Sequence, residues 1–276
     1  MTRNPSAIRF AKKVPEITIF FWVVKLLTTA TGEAASDFLV YDIDKYLAVI
    51  LGLAGLVIGL ALQIALRRYV TWAYWFAVTM VAVFGTMAAD VMHIVLGVPY
   101  VVSTVFFISA LAIVFLAWYL TERTLSIHSI YNTRRELFYW AAVIATFALG
   151  TAAGDMTATS LGWGYLVSIL AFAALIAVPA FGYRYLRLNA VVAFWFAYVV
   201  TRPLGASIAD WLGRSPDLGG IGFGMGPTTL CLSVLILAFV SYLAVTRKEV
   251  DRDGVGGRQG ASPLAADRDS HSSDRG

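Results

Sequence analysis

Four aspartates, Asp37, Asp90, Asp155 and Asp210, each follow a tryptophan by fifteen residues and a glycine by five. The tryptophans are Trp22, Trp75, Trp140 and Trp195; the glycines are Gly32, Gly85, Gly150 and Gly205. An aromatic residue precedes each Trp (Phe21, Tyr74, Tyr139, Phe194). Carboxylates recurring at one spacing are repeated acceptors for a cation or a proton. On a helix, the positions 0, 3, 7, 11 and 15 residues after the Trp share one face. That stripe reads Trp22, Lys25, Thr29, Glu33, Asp37 in the first block and Trp195, Tyr198, Arg202, Ala206, Asp210 in the fourth. Thr86 and Thr151 stand on it in the second and third, and His93 continues it past Asp90.

The elements that must carry these blocks are membrane spans. Of the 276 residues, 59% are apolar and only 14% charged, against about 25% charged in soluble domains. A bilayer core of about 30 Å takes roughly 20 apolar residues per helix, and such stretches begin near Ile17, Leu47, Trp72, Val101, Leu137, Tyr165, Ala190 and Met225. The expected fold is an all-α integral membrane protein of eight transmembrane helices, arranged as four parallel two-helix repeats. The Trp-to-Trp intervals of 53, 65 and 55 residues each hold one hairpin, so the motif falls on every odd span. The repeats cover about 17–67, 70–122, 135–187 and 190–246 within a transmembrane domain 17–246. A polar N-terminal segment 1–16 precedes it, and a tail 247–276, too rich in charge, Gly and Ser to bury a core, is expected to be disordered.

Positive residues near span ends remain cytoplasmic. With the N-terminus inside, 17 of the 21 Lys and Arg residues fall on that side, only Lys45 and Arg214 fall opposite, and Lys25 and Arg202 lie within spans. Both termini are therefore expected in the cytoplasm. Each Trp then starts its span at the inner interface, where indoles anchor. Fifteen residues of helix rise about 22 Å, which carries the four carboxylates past the midplane. A single cysteine, Cys231, excludes disulfide frameworks and thiolate metal cages. The net charge of +4 is dispersed at span ends rather than gathered on a nucleic-acid face. No Ser/His/Asp or metalloprotease pattern points to an enzyme, and no resident cofactor is expected.

Ionisable groups inside a bilayer cost a few kcal/mol each and persist where they face a bundle interior or an aqueous path. Five acidic groups, counting Glu33, oppose Lys25 and Arg202, an excess of three negative charges that invites a cation. The ligand set expected is Asp37, Asp90, Asp155 and Asp210, with Glu33, His93, Thr86 and Thr151 beside them and Arg202 and Lys25 compensating charge. Oxygen donors with one imidazole favour a hard or borderline divalent ion such as Mn²⁺. Bland alternatives stand beside this reading: carboxylates that cap helix ends or glue the bundle, a snorkelling Lys25, an interfacial His93, and glycines, including Gly55 and Gly59, that only let helices approach. The run from Gly220 to Gly226 reads as a flexible outer connection.

The Phe/Tyr-Trp starts, the Gly-x4-Asp blocks and the segments Lys13-Val-Pro-Glu-Ile17 and Thr201-Arg-Pro-Leu-Gly205 resemble a bacterial family of integral membrane proteins. That family is built from four tandem two-span repeats and catalogued as uncharacterised membrane-anchored proteins. The resemblance covers about residues 14–245. It implies the repeat architecture and a bacterial inner membrane, and it carries no established activity. From the residues, the expectation is a cation transporter, as a divalent-metal exporter or proton-coupled exchanger. Its rivals are a carrier of organic cations, served by the 38 aromatic residues, and a non-transporting scaffold or sensor. Membrane lipids and the cation are the expected partners, with no nucleic acid; oligomeric state is left open.

Overall fold

A computed structural model describes residues 12–246. The expectations for the segment before residue 12 and for the tail 247–276 lie outside the described residues. Eight α-helices follow one another: α1 (Ile19–Asp37), α2 (Lys45–Ala65), α3 (Thr71–Asp90), α4 (Tyr100–Glu122), α5 (Thr133–Asp155), α6 (Gly164–Tyr185), α7 (Ala190–Gly213) and α8 (Met225–Thr246). Among the described residues there is no strand. Seven of the eight are long and apolar enough to cross a membrane. Outside that set is α1, which carries Lys25, Glu33 and Asp37. Side chains of Thr18, Asp44, Asn132 and Asn189 accept backbone N–H groups at the starts of α1, α2, α5 and α7, filling bonds a helix N-terminus leaves open.

The helices sort into two layers. In α3, α5 and α7, 56–67% of the span is buried, whereas in α2, α4, α6 and α8 the figure is 17–28%. The latter therefore form the outer layer. The four helices that carry the motif Trp close a ring in which α1 packs on α3, α3 on α5, α5 on α7, and α7 on α1. Each outer helix packs against the inner helix that follows it, α2 on α3, α4 on α5 and α6 on α7, while α8 returns to α1. The last hairpin is thus clasped to the first.

One glycine register joins the ring. A β-carbon on Gly32 would lie 2.3 Å from Ala82, on Gly85 2.7 Å from Phe147, on Gly150 2.2 Å from Arg202 and on Gly205 2.0 Å from Thr29. Every partner is the seventh residue after its own Trp. The same contact therefore recurs around the ring, and a side chain at any of the four would push two inner helices apart. Gly55 and Gly59 do likewise for α2, against Met80 and Ala77 of α3.

After Asp37, Asp90 and Asp155 the helix widens into a π-helical turn, over Phe38–Ile43, Val91–Val95 and Met156–Ser160. In the fourth copy α7 instead continues through Asp210 to Gly213. At the opposite end, Phe21, Tyr74, Tyr139 and Phe194 are all buried, and the Tyr74 and Tyr139 hydroxyls lie 2.5 Å apart. This layer corrects the expected role of the tryptophans. Trp75, Trp140 and Trp195 are buried, and Trp195 donates its indole N–H to the Leu125 carbonyl at 2.9 Å. Each of the three stands edge-on to the aromatic ring just before it in the chain, with centroids 5.2 Å apart.

Two connections are tied down. Lys13 Nζ donates to Glu136 at 2.5 Å and to the Ile64 carbonyl at 3.2 Å, which holds the approach to α1 against the ends of α2 and α5. The glycine-rich run near residue 220 is a cap on α7: the N–H groups of Ile221, Gly222, Phe223 and Gly224 donate to the carbonyls of Trp211, Arg214, Leu212 and Gly213. Gly219, Gly222 and Gly224 have positive φ, which makes that return possible. The expected flexible connection is therefore a hydrogen-bonded turn.

Candidate carboxylate site

The centre of the ring is a polar knot contributed by all four copies. The guanidinium of Arg202, fully buried on α7, donates from Nη2 to Glu33 at 2.9 Å and to Thr151 Oγ1 at 2.8 Å. It also donates to Thr86 Oγ1, and its Nη1 reaches the Thr29 carbonyl at 3.2 Å. Glu33, Thr86 and Thr151 occupy the same place, eleven residues after their tryptophans. The fourth copy has Ala206 there, and its Arg202 fills the space from one turn away. The stripe inferred from spacing is thus assembled as a single layer.

A second layer lies one turn further along. Arg214, just beyond α7, donates from Nη2 to Asp37 at 2.5 Å and from Nε to Asp210 at 3.1 Å. Its guanidinium carbon is 5.6 Å from the centre of the Tyr41 ring. Burial opposes the Arg214 charge, but Asp37 and Asp210 outweigh it and hold its pKa above the ordinary value. One carboxylate oxygen each from Glu33, Asp37 and Asp210 can be chosen so that all three lie within 4.8 Å of one another. A cavity of about 470 Å³ adjoins this layer, lined in part by Asp37, Tyr41, Asp42 and Arg214.

The expected four-aspartate set is therefore joined only in part. Asp37 and Asp210 meet, with Glu33; Asp90 and Asp155 are outside that group. Asp90 Oδ2 is buried without a hydrogen-bond partner. His93 does not share a ligand position with Asp90. Its Nδ1 lies 2.8 Å from the Val98 carbonyl and its Nε2 3.2 Å from Ser103 Oγ, so both ring nitrogens are engaged by the turn into α4. Lys25 neither snorkels nor compensates a carboxylate. It is buried, and its Nζ, with no hydrogen-bond partner, sits 3.9 Å from the Phe147 ring centre and 4.1 Å from that of Tyr198. Its partners are aromatic faces.

Arg214 and Tyr41 are the members that spacing alone missed. Each follows an aspartate by four residues, Asp210 and Asp37, which is one helical turn on the same face. That signal was present, but Arg214 reads first as one more charge in a connection. With Arg202, it makes two guanidinium groups that face the carboxylates of Glu33, Asp37 and Asp210.

No curated protein and no solved structure matches the chain. The pattern of one family, described as Repeat of Unknown Function (DUF347), matches residues 73–124, 138–187 and 193–249. Each match begins two residues before a Trp of the motif. The first copy lies outside these matches and carries the same Trp, Gly and Asp spacing. With more than half of its length matched, the chain belongs to this family of repeats of unknown function.

Proposed function

We propose that this protein is a cation transporter of a bacterial inner membrane. It has eight spans, built as four parallel two-helix copies, with both termini cytoplasmic. The observation that carries the reading is the meeting of Glu33, Asp37 and Asp210 with oxygens within 4.8 Å of one another, each carboxylate held by an arginine. Such a cluster is unfavourable in a bilayer unless positive charge is always present. In the described state, Arg202 and Arg214 supply it. A cation entering from the aspartate end meets Arg214, 27% exposed, before the fully buried Arg202. The aromatic layer of Phe21, Tyr74, Tyr139 and Phe194 closes the far end. Exchange of a protein guanidinium for a free cation, followed by opening of that layer, is a carrier cycle.

A divalent metal such as Mn²⁺ is the second reading, favoured by the same three oxygens. It requires both arginines to leave, since an ion takes its ligands at roughly 2.0–2.6 Å. The test is flux into liposomes holding the purified protein, with Mn²⁺, Mg²⁺, Zn²⁺, K⁺, protons, guanidinium and a quaternary amine as candidates. Flux of one or more cations that is lost in Asp37→Asn and Asp210→Asn is the expected result. A protein that carries none of them is a scaffold.

A further inference from the structure

We infer that the cation taken by the Asp37 and Asp210 pair is of guanidinium type, and that Arg214 is a tethered stand-in occupying its place until the free cation displaces it. This rests on the cation-transport reading and names its substrate class. Asp37 and Asp210 come from helices at opposite ends of the chain, and they accept from two different nitrogens of one guanidinium, Nη2 and Nε. Two carboxylates set to a planar fork select its shape as well as its charge. The Tyr41 ring adds an aromatic face at 5.6 Å from the guanidinium carbon, and such a face attracts a delocalised cation.

Three further observations make this a place for a ligand as well as an ion pair. The cavity of about 470 Å³ is lined by Asp37, Tyr41 and Arg214 of this group and gives a small organic ion room to enter. Asp42 lines it too, and offers the departing Arg214 an exposed carboxylate. Asp90, the matching aspartate of the second copy, has a buried Oδ2 that accepts no hydrogen bond. A free guanidinium has six N–H donors on three equivalent edges, one edge more than an arginine side chain, whose Cδ blocks the third. It can serve Asp37 and Asp210 as Arg214 does and keeps a third edge for a further acceptor. A bare metal ion could take the same oxygens but donates no hydrogen bond, so the planar arrangement of the fork does not select it.

The experiment is calorimetric titration of guanidinium chloride, tetramethylammonium chloride and MnCl₂ into the full chain in lipid nanodiscs, with flux of the same probes in liposomes. The variants are Arg214→Gln, Arg214→Lys and Tyr41→Leu. Removing the competitor should tighten guanidinium binding about tenfold in Arg214→Gln, the size of an ordinary coupling between ligands. Arg214→Lys keeps the charge, loses the fork and should also bind guanidinium more tightly than wild type. Tyr41→Leu should weaken it about threefold, as loss of an exposed cation–π contact does, and leave MnCl₂ unchanged. If both Arg214 variants gain affinity for Mn²⁺ and not for guanidinium, or if tetramethylammonium binds as well as guanidinium, the assignment is overturned and cation transport stands. If no cation binds or is carried, transport falls with it.

Discussion

Arg202 of α7 and Glu33 of α1 meet at 2.9 Å at the centre of the ring, 169 residues apart in the chain. The pair closes the last copy onto the first at the level where the second and third contribute only Thr86 and Thr151. Four near-equivalent helices could each take any place in a ring, because their Trp, Gly and Asp positions are the same. One acid on α1 and one base on α7 remove that degeneracy. A buried ion pair of this kind is best understood as specifying an arrangement, since its net stabilisation is small against desolvation.

That view makes a quantitative prediction. Glu33→Gln leaves the Arg202 charge unpaired and should destabilise the protein by about 3–5 kcal/mol. Glu33→Leu combined with Arg202→Met, which removes both charges and keeps volume, should cost much less than the two single changes added together. Thermal unfolding of the purified variants in detergent, followed by tryptophan fluorescence, checks this. Equal costs for double and summed singles would mean that the charges act independently.

The glycine register is tested by one added carbon. Gly32→Ala, Gly85→Ala, Gly150→Ala and Gly205→Ala each place a β-carbon within 3.0 Å of a neighbouring inner helix, and overpacking of this kind costs about 1–3 kcal/mol. Gly154→Ala is the control, for its nearest neighbour would be 3.6 Å away, an ordinary contact. Melting temperatures should fall for the four and hold for Gly154→Ala. The largest fall is expected at Gly32, where the obstruction includes the Ala82 backbone carbonyl carbon at 2.8 Å as well as a side chain.

Much of the ring was legible because the features that build it are strictly local. Trp, Gly and Asp recur at fixed offsets within one helix, so a count along the chain finds the face that meets in the middle. Helix starts fell within four residues of the expected places for the same reason. The parts that stayed hidden depend on neighbours from other copies. Whether Trp195 faces lipid or the Leu125 carbonyl is decided by α4 and its following turn, not by its own helix. Lys25 looks like a counter-charge from its place on the stripe, yet Phe147 and Tyr198 from two other helices enclose it. Arg214 reads as a connecting residue because nothing in its own segment shows that Asp37 is 2.5 Å away. The π-helical turns after three of the four aspartates left no mark in the spacing.

Orientation in the membrane is open to direct labelling. In a Cys231→Ser background, cysteines introduced at Arg68, Arg135 and Arg187 should resist a membrane-impermeant reagent applied outside intact cells, and those at Asp44 and Asp217 should react. The 17-to-2 division of basic residues outside the spans is the basis for this outcome. The reverse pattern would turn the aspartate end toward the cytoplasm and make the proposed entry an exit.

Lys13 and Glu136 provide the last test, at the end of the ring opposite the carboxylates. Both are buried, and Glu136 also accepts from Gln63 at 3.4 Å while Gln63 donates to the Lys13 carbonyl at 3.2 Å. Val14, next in sequence, belongs to the core cluster that includes the aromatic layer. No other copy carries a Lys nine residues before its Trp or a Glu four before it, so the tie departs from the repeat. In a carrier, the closed end must open in each cycle, and a buried charge pair is a contact whose loss is strongly felt. A cysteine in place of Val14, again without Cys231, should react slowly with maleimide in the otherwise unchanged protein. Glu136→Gln should speed it about tenfold, and the exchanged pair Lys13→Glu with Glu136→Lys should slow it again. A cysteine at Ser168, buried on α6 far from the tie in sequence, should stay protected throughout and so report that the bundle is intact. If Glu136→Gln leaves the Val14 cysteine slow while Ser168 remains protected, apolar packing of Val14 is what holds this segment, and the ion pair is not its latch.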